Sequence, residues 1–70
     1  MQGAPAIISL YHPEQGYGYV QLKDTHETFR FRFKDWLGMG LPQVGQLVEF
    51  RLQVGKQGYL AVEVKPMDIA

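Results

Sequence analysis

The chain has no cysteine and no net charge, its seven Lys and Arg residues offsetting seven Asp and Glu. The first absence removes any disulfide staple or thiolate metal site, leaves the fold to its core and suits a reducing compartment. The second removes a global electrostatic reason to expect nucleic acid. No apolar run approaches the ~20 residues needed to cross a bilayer, and the opening MQGAPAII lacks the charged start and long apolar stretch of a secretory signal. A soluble, unexported protein of the cytoplasm is expected, with no membrane partner. Ser9 is the single serine, and His12 and His26 fall in different turns, so no spacing suggests a metal site or an activated nucleophile. Neither an enzyme nor a cofactor is expected.

Seventy residues allow one domain, and a chain this short buries only about 60% of its unfolded surface. There is no repeat and no low-complexity tract. Glycines and prolines divide the sequence into short runs, the punctuation of an all-β protein. Strands are expected over 6–11, 17–23, 28–34, 47–54 and 58–65, bounded by His12-Pro13, Asp24-Thr25, the stretch 38–42 and Gly55. Phe29, Phe31 and Phe33 alternate with Arg30, Arg32 and Lys34, a period of two with one apolar and one basic face. Val48, Phe50, Leu52 and Val54 alternate in the same way with Glu49, Arg51 and Gln53, whose mixed signs make an inert outer face. Five short antiparallel strands are best accommodated by curling into a small barrel, since closure removes exposed edges. Its interior should hold Val20, Phe29, Phe31, Val48, Phe50 and Val64.

The stretch QGYGYV places Tyr17 and Tyr19 on one side of a strand and Gly16, Gly18 and Val20 on the other. Small residues facing in leave the rings facing out. Two exposed rings forgo burial worth about 1.5–3 kcal/mol each, which argues for a use, and a nucleobase stacked on each would supply about 1–3 kcal/mol. The bland alternative is a pair of half-buried strand aromatics. A turn centred on Asp24-Thr25 would set Arg30 across from Tyr19 and Arg32 across from Tyr17. The arginines then contact phosphates, stack beside the tyrosines, or merely form a solvated face. Arg32 is the better phosphate candidate and Arg30 the better stacking one. Trp36, the only tryptophan, either caps the barrel mouth or adds a stacking ring at its rim. Tyr11 is a further candidate contact; His12 reads as a turn residue and Tyr59 as a surface aromatic.

Three segments together resemble the cold-shock domain, the OB-fold module of bacterial cold-shock proteins. Gln15 to Val20 match a first RNA-binding motif of the form KGFGFI, Phe29 to Phe33 match VFVHF, and Gly45 to Phe50 match GQ-x-V-x-F. The likeness spans about residues 6–66 and implies single-stranded RNA or DNA as partner, with RNA-chaperone-like activity. It also implies that Tyr17 and Tyr19 occupy the two base-stacking positions and that Phe33 is a binding residue at its strand end, whereas strict alternation turns Phe33 inward. Departures fall on the same surface. Ser9 and Leu10 stand where the family has lysine and a stacking tryptophan, Arg30 and Arg32 where it has phenylalanine and histidine. The stretch 36–43 is about two residues short and lacks the loop phenylalanine. A protein-interaction module with altered binding is the rival reading, and a homodimer through the aromatic face is compatible with either.

Overall fold

A computed structural model describes residues 4–67. Five strands, β1 (Ala4–His12), β2 (Tyr17–Leu22), β3 (Thr28–Arg32), β4 (Leu47–Gly55) and β5 (Gly58–Pro66), are joined by turns and one short 3-10 helix, Phe33–Asp35. They close into a ring in the order β1-β2-β3-β5-β4. The all-β barrel expected from the alternation is therefore present. One seam departs from the antiparallel expectation: β3 and β5 run parallel and meet at a single pair, Arg30 with Leu60. A parallel bridge from Trp36 to Val64 extends the contact beyond the end of β3.

Each strand turns its apolar set inward. Ala6, Ile8, Val20, Phe31, Val48, Phe50, Ala61 and Val64 form the core, and no polar or charged side chain is buried with them among the described residues. Phe29 was expected inside with these, but it is half-buried, leaning on the core with its ring 6.0 Å from that of Phe50. Beyond Phe50 the expected inward series breaks off: Leu52 and Val54 are 47% and 71% exposed. The β1–β4 pairing ends at Phe50, so the outer half of the β4–β5 hairpin projects past the barrel and its inner face meets no opposing strand.

The third strand also stops earlier than expected. After Arg32 the chain tightens into the 3-10 turn, and the Phe33 amide donates to the Gly16 carbonyl at 2.8 Å. Alternation no longer applies there, and Phe33 is 44% exposed instead of turned inward. Trp36 follows. Its ring is buried, its Nε1 donates to the Gly40 carbonyl at 3.0 Å, and it closes one end of the barrel. The stretch after it folds around that ring so closely that a Cβ on Gly38 would lie 2.3 Å from the indole.

Candidate nucleic-acid interface

The β2–β3 register is the one that places Arg30 opposite Tyr19 and Arg32 opposite Tyr17. On the other side of β2, Leu10 pairs with Tyr19 and His12 with Tyr17. The outer face of the first three strands is therefore two rows, Leu10-Tyr19-Arg30 and His12-Tyr17-Arg32. Phe33, tied to the β1–β2 turn through Gly16, stands at the end of the second row.

Two glycines make this arrangement possible, for different reasons. Gly16 has a φ of 74°, the left-handed conformation that closes the turn before Tyr17. Gly18 is buried and has ordinary backbone angles, but a Cβ there would sit 2.3 Å from the Leu10 carbonyl oxygen and 3.0 Å from the Phe31 ring. Space between β1 and Phe31 exists only for a hydrogen. With no side chain to place inward, the strand sends both tyrosines out.

The rings on this face touch one another. Tyr17 and Tyr19 meet edge to face, with centroids 6.0 Å apart at 84°, and His12 lies 5.1 Å from Tyr17. The Arg30 guanidinium carbon stands 4.4 Å from the centre of the Tyr17 ring, a cation–π contact. Arg30 thus reaches diagonally, past its cross-strand partner Tyr19, to cover Tyr17. Both tyrosines are half-buried by these neighbours, so the open stacking surfaces are the exposed side of Tyr19, the outer plane of the Arg30 guanidinium and Phe33.

The charges divide in a way the sequence did not reveal. Arg32 Nε lies 3.2 Å from Asp35 Oδ2, an i,i+3 pair created by the 3-10 turn. On the outer face of β4 and β5, Arg51 is paired with Glu63 at 2.7 Å and Lys65 with Glu49 at 3.3 Å. That face is neutralised, as its mixed signs suggested. Arg30, Lys34 and Lys56 have no such acidic partner among the described residues.

Four of the seven candidate residues, Tyr17, Tyr19, Arg30 and Arg32, thus share one face, with Phe33 at its margin. Two do not. The buried ring of Trp36 has its polar edge satisfied within its own loop, so it caps the barrel and offers no stacking surface. Tyr11 turns inward, packed on Phe31 at 6.0 Å with the rings 15° from parallel. The cause is an irregularity between Ile8 and Leu10: Ile8 pairs with Val20 but Leu10 with Tyr19, so Ser9 is an extra residue in β1. A bulge exchanges the faces of everything beyond it. Leu10 and His12 join the interface for the same reason. The His12-Pro13 pair points to a turn in the sequence, and the only pointer to Leu10 there is its alignment with the family's stacking tryptophan.

Among the described residues, no group of three or more His, Cys, Asp or Glu side chains is placed to hold a metal ion. No described helix is long and apolar enough to cross a membrane. Compared with known proteins, the chain matches no family model and no curated protein.

Proposed function

We propose that the outer face of β1, β2 and β3 binds single-stranded RNA or DNA, with bases stacked on Tyr19, on the Arg30–Tyr17 pair and on Phe33. The observation that carries this reading is the aromatic and cationic composition of a single outward face, held open by a glycine that cannot accept a side chain. Stacking surfaces recognise any base, because every base has a π-face, while the nearby cations attract the backbone. Duplex, whose bases are already stacked on one another, binds more weakly. The proposed class is a cold-shock-like, RNA-chaperone-type module of the cytoplasm, as the three sequence segments imply. The role proposed is binding, and the Ser9 hydroxyl donates to the Tyr19 carbonyl at 3.4 Å within the β1–β2 ladder.

A labelled oligothymidylate or oligouridylate, titrated at low salt and followed by fluorescence anisotropy, tests the proposal. Binding weaker than millimolar would overturn it. Trp36 is a poor reporter because its ring is buried. The second reading, a protein-interaction module, is favoured by a specific feature: Leu37, Met39, Leu41 and Val44 are 59%, 96%, 55% and 66% exposed within one connection. Failure to bind oligonucleotide would direct attention to that loop.

A further inference from the structure

Strand β4 outlasts one of its neighbours. Its pairing with β1 ends where Ala4 meets Phe50, while its hairpin with β5 runs on to Gly55 and Gly58. Over residues 51–55 the edge on the β1 side therefore meets no other strand among the described residues. The Ile8 amide donates to the Gln46 carbonyl at 3.0 Å, which turns the even-numbered residues of β4 toward β1. By alternation, the amides and carbonyls of Leu52 and Val54 point out of the open edge. Edges that stay single are guarded by charge, proline or a bulge. Leu52-Gln53-Val54 carries none of these. We propose that this edge pairs with the same edge of a second copy of the chain, antiparallel about a two-fold axis at Gln53, so that two β4–β5 hairpins form one four-stranded ribbon. The inference does not depend on the nucleic-acid reading.

The sequence around Gln53 is self-complementary in that register. Leu52 of each protomer comes opposite Val54 of its partner, on the apolar face. Val54 already lies opposite Tyr59 within its own hairpin, and Leu52, Val54 and Tyr59 are all exposed, so pairing joins two short apolar faces into one. On the other face Gln53 meets Gln53, whose amides each donate and accept. Arg51 meets Gly55, which has no side chain. The two Arg51 residues stand about 14 Å apart along the ribbon, beyond the ~10 Å screening length of 0.1 M salt. Each is also held by its own Glu63 at 2.7 Å. No like charges are brought face to face. A nucleic acid or a lipid surface offers no row of alternating donors and acceptors at strand spacing. The contact lies beyond the Ala4 end of β1, and the His12-Tyr17-Arg32 row lies at its other end, so both aromatic faces stay open.

An interface this short belongs to the weak end of protein contacts, so the full chain is followed by sedimentation velocity from about 10 μM to about 1 mM. The expected result is a mass that rises with concentration toward that of two chains. Val54→Lys puts a cation into both apolar pairs and should weaken association by about tenfold or more. Its melting temperature should hold, because residue 54 is exposed. The absence of cysteine lets the register be read directly. With Leu52 and Val54 making the hydrogen bonds, the two Gln53 residues form a non-hydrogen-bonded pair, whose Cα atoms lie about 4.5 Å apart and within disulfide reach. Gln53→Cys should therefore cross-link two copies under mild oxidation much faster than Lys56→Cys at the hairpin tip. A chain that stays monomeric throughout the range overturns the proposal and leaves the edge to another extended segment, such as residues 1–3 of the same chain. Association that is unchanged by Val54→Lys but lost in Tyr19→Ala also overturns it, and places the contact on the aromatic face. Cross-linking at equal rates from positions 53 and 56 overturns the two-fold at Gln53.

Discussion

Replacing Gly18 with alanine adds one methyl group at the point where the interface is anchored to the core. That carbon would lie 2.3 Å from the Leu10 carbonyl oxygen, 3.0 Å from Tyr11 Cα and 3.0 Å from Phe31 Cε1. Two of the three neighbours are backbone atoms of β1, which cannot rotate away, so relief requires the strands to part at the bulge. Overpacking of this kind costs about 1–3 kcal/mol, and backbone on one side with a fully buried ring on the other puts the cost near the top of that range. Against it stands the smaller entropy of the unfolded alanine chain, worth about 0.4–1 kcal/mol in favour of folding. A net loss of about 2 kcal/mol remains, from a total of about 4–10 kcal/mol for a domain of this length. The melting temperature should fall by about 8–16 °C, read by circular dichroism or differential scanning fluorimetry. Gly40→Ala is the control. Gly40 has nothing within 4 Å of its would-be Cβ but a φ of 69°, so strain alone operates there, at about 1–2 kcal/mol. The two glycines therefore fail for separable reasons: restoring space by Phe31→Leu should recover part of the Gly18→Ala loss and none of the Gly40→Ala loss. A Gly18→Ala protein that melts within about 2 °C of the parent would refute the close approach of β1 and β2 on which the outward tyrosines depend.

Tyr19→Ala should weaken oligothymidylate binding by about 1–3 kcal/mol with little change in melting temperature, and an unaltered dissociation constant would exclude the ring as a platform. Asp35→Asn releases Arg32 from its ion pair; binding should tighten and the slope of log affinity against log salt should steepen by about 0.7, one more single-strand phosphate, whereas an unchanged slope would mean that Arg32 never reaches the backbone. Arg30→Gln should weaken binding at every salt concentration with little change in slope, because its guanidinium is engaged as a stacking plane, and a slope change of about 0.7 would assign it to a phosphate instead. Trp36→Phe forfeits the bond from Nε1 to the Gly40 carbonyl. Stability should drop by about 1–2 kcal/mol in a urea titration while affinity for short oligomers stays the same, and the reverse pattern would return Trp36 to the interface.

Much of the fold was legible because it rests on local rules. The alternation of Phe29 and Phe31 with Arg30 and Arg32 fixes a strand and its two faces, and the short turn at Asp24-Thr25 fixes its register against β2. The departures arise where something other than the local period decides. Ser9 enters β1 as an extra residue and turns Tyr11 inward and His12 outward; nothing in SLYH marks the bulge. The 3-10 turn after Arg32 takes Phe33 out of the alternation and brings Asp35 to Arg32, while the Phe33 amide donates to the carbonyl of Gly16, distant in sequence. Leu52 and Val54 keep the correct face but lie where the barrel has ended, a matter of strand length relative to neighbours that periodicity does not encode. The diagonal reach of Arg30 to Tyr17 depends on side-chain conformation, which sequence spacing leaves free.

The single-pair seam between β3 and β5 has a consequence for how the ring holds together in time. Four of the five junctions are antiparallel ladders of four or more paired residues, while this one relies on Arg30 with Leu60 and on the later bridge at Trp36. Two units that are contiguous in sequence, the β1–β2–β3 meander and the β4–β5 hairpin, are thus joined by the β1–β4 ladder on one side and on the other only by a short parallel contact, a clasp whose closure spans the longest loop. Amide hydrogens near that clasp should exchange with solvent well before those of the β1–β2 ladder, through openings that leave each unit paired within itself. Because the clasp joins Arg30 on β3 to Leu60 on the β4–β5 hairpin, a ligand that touches both units would act as a latch and slow that exchange.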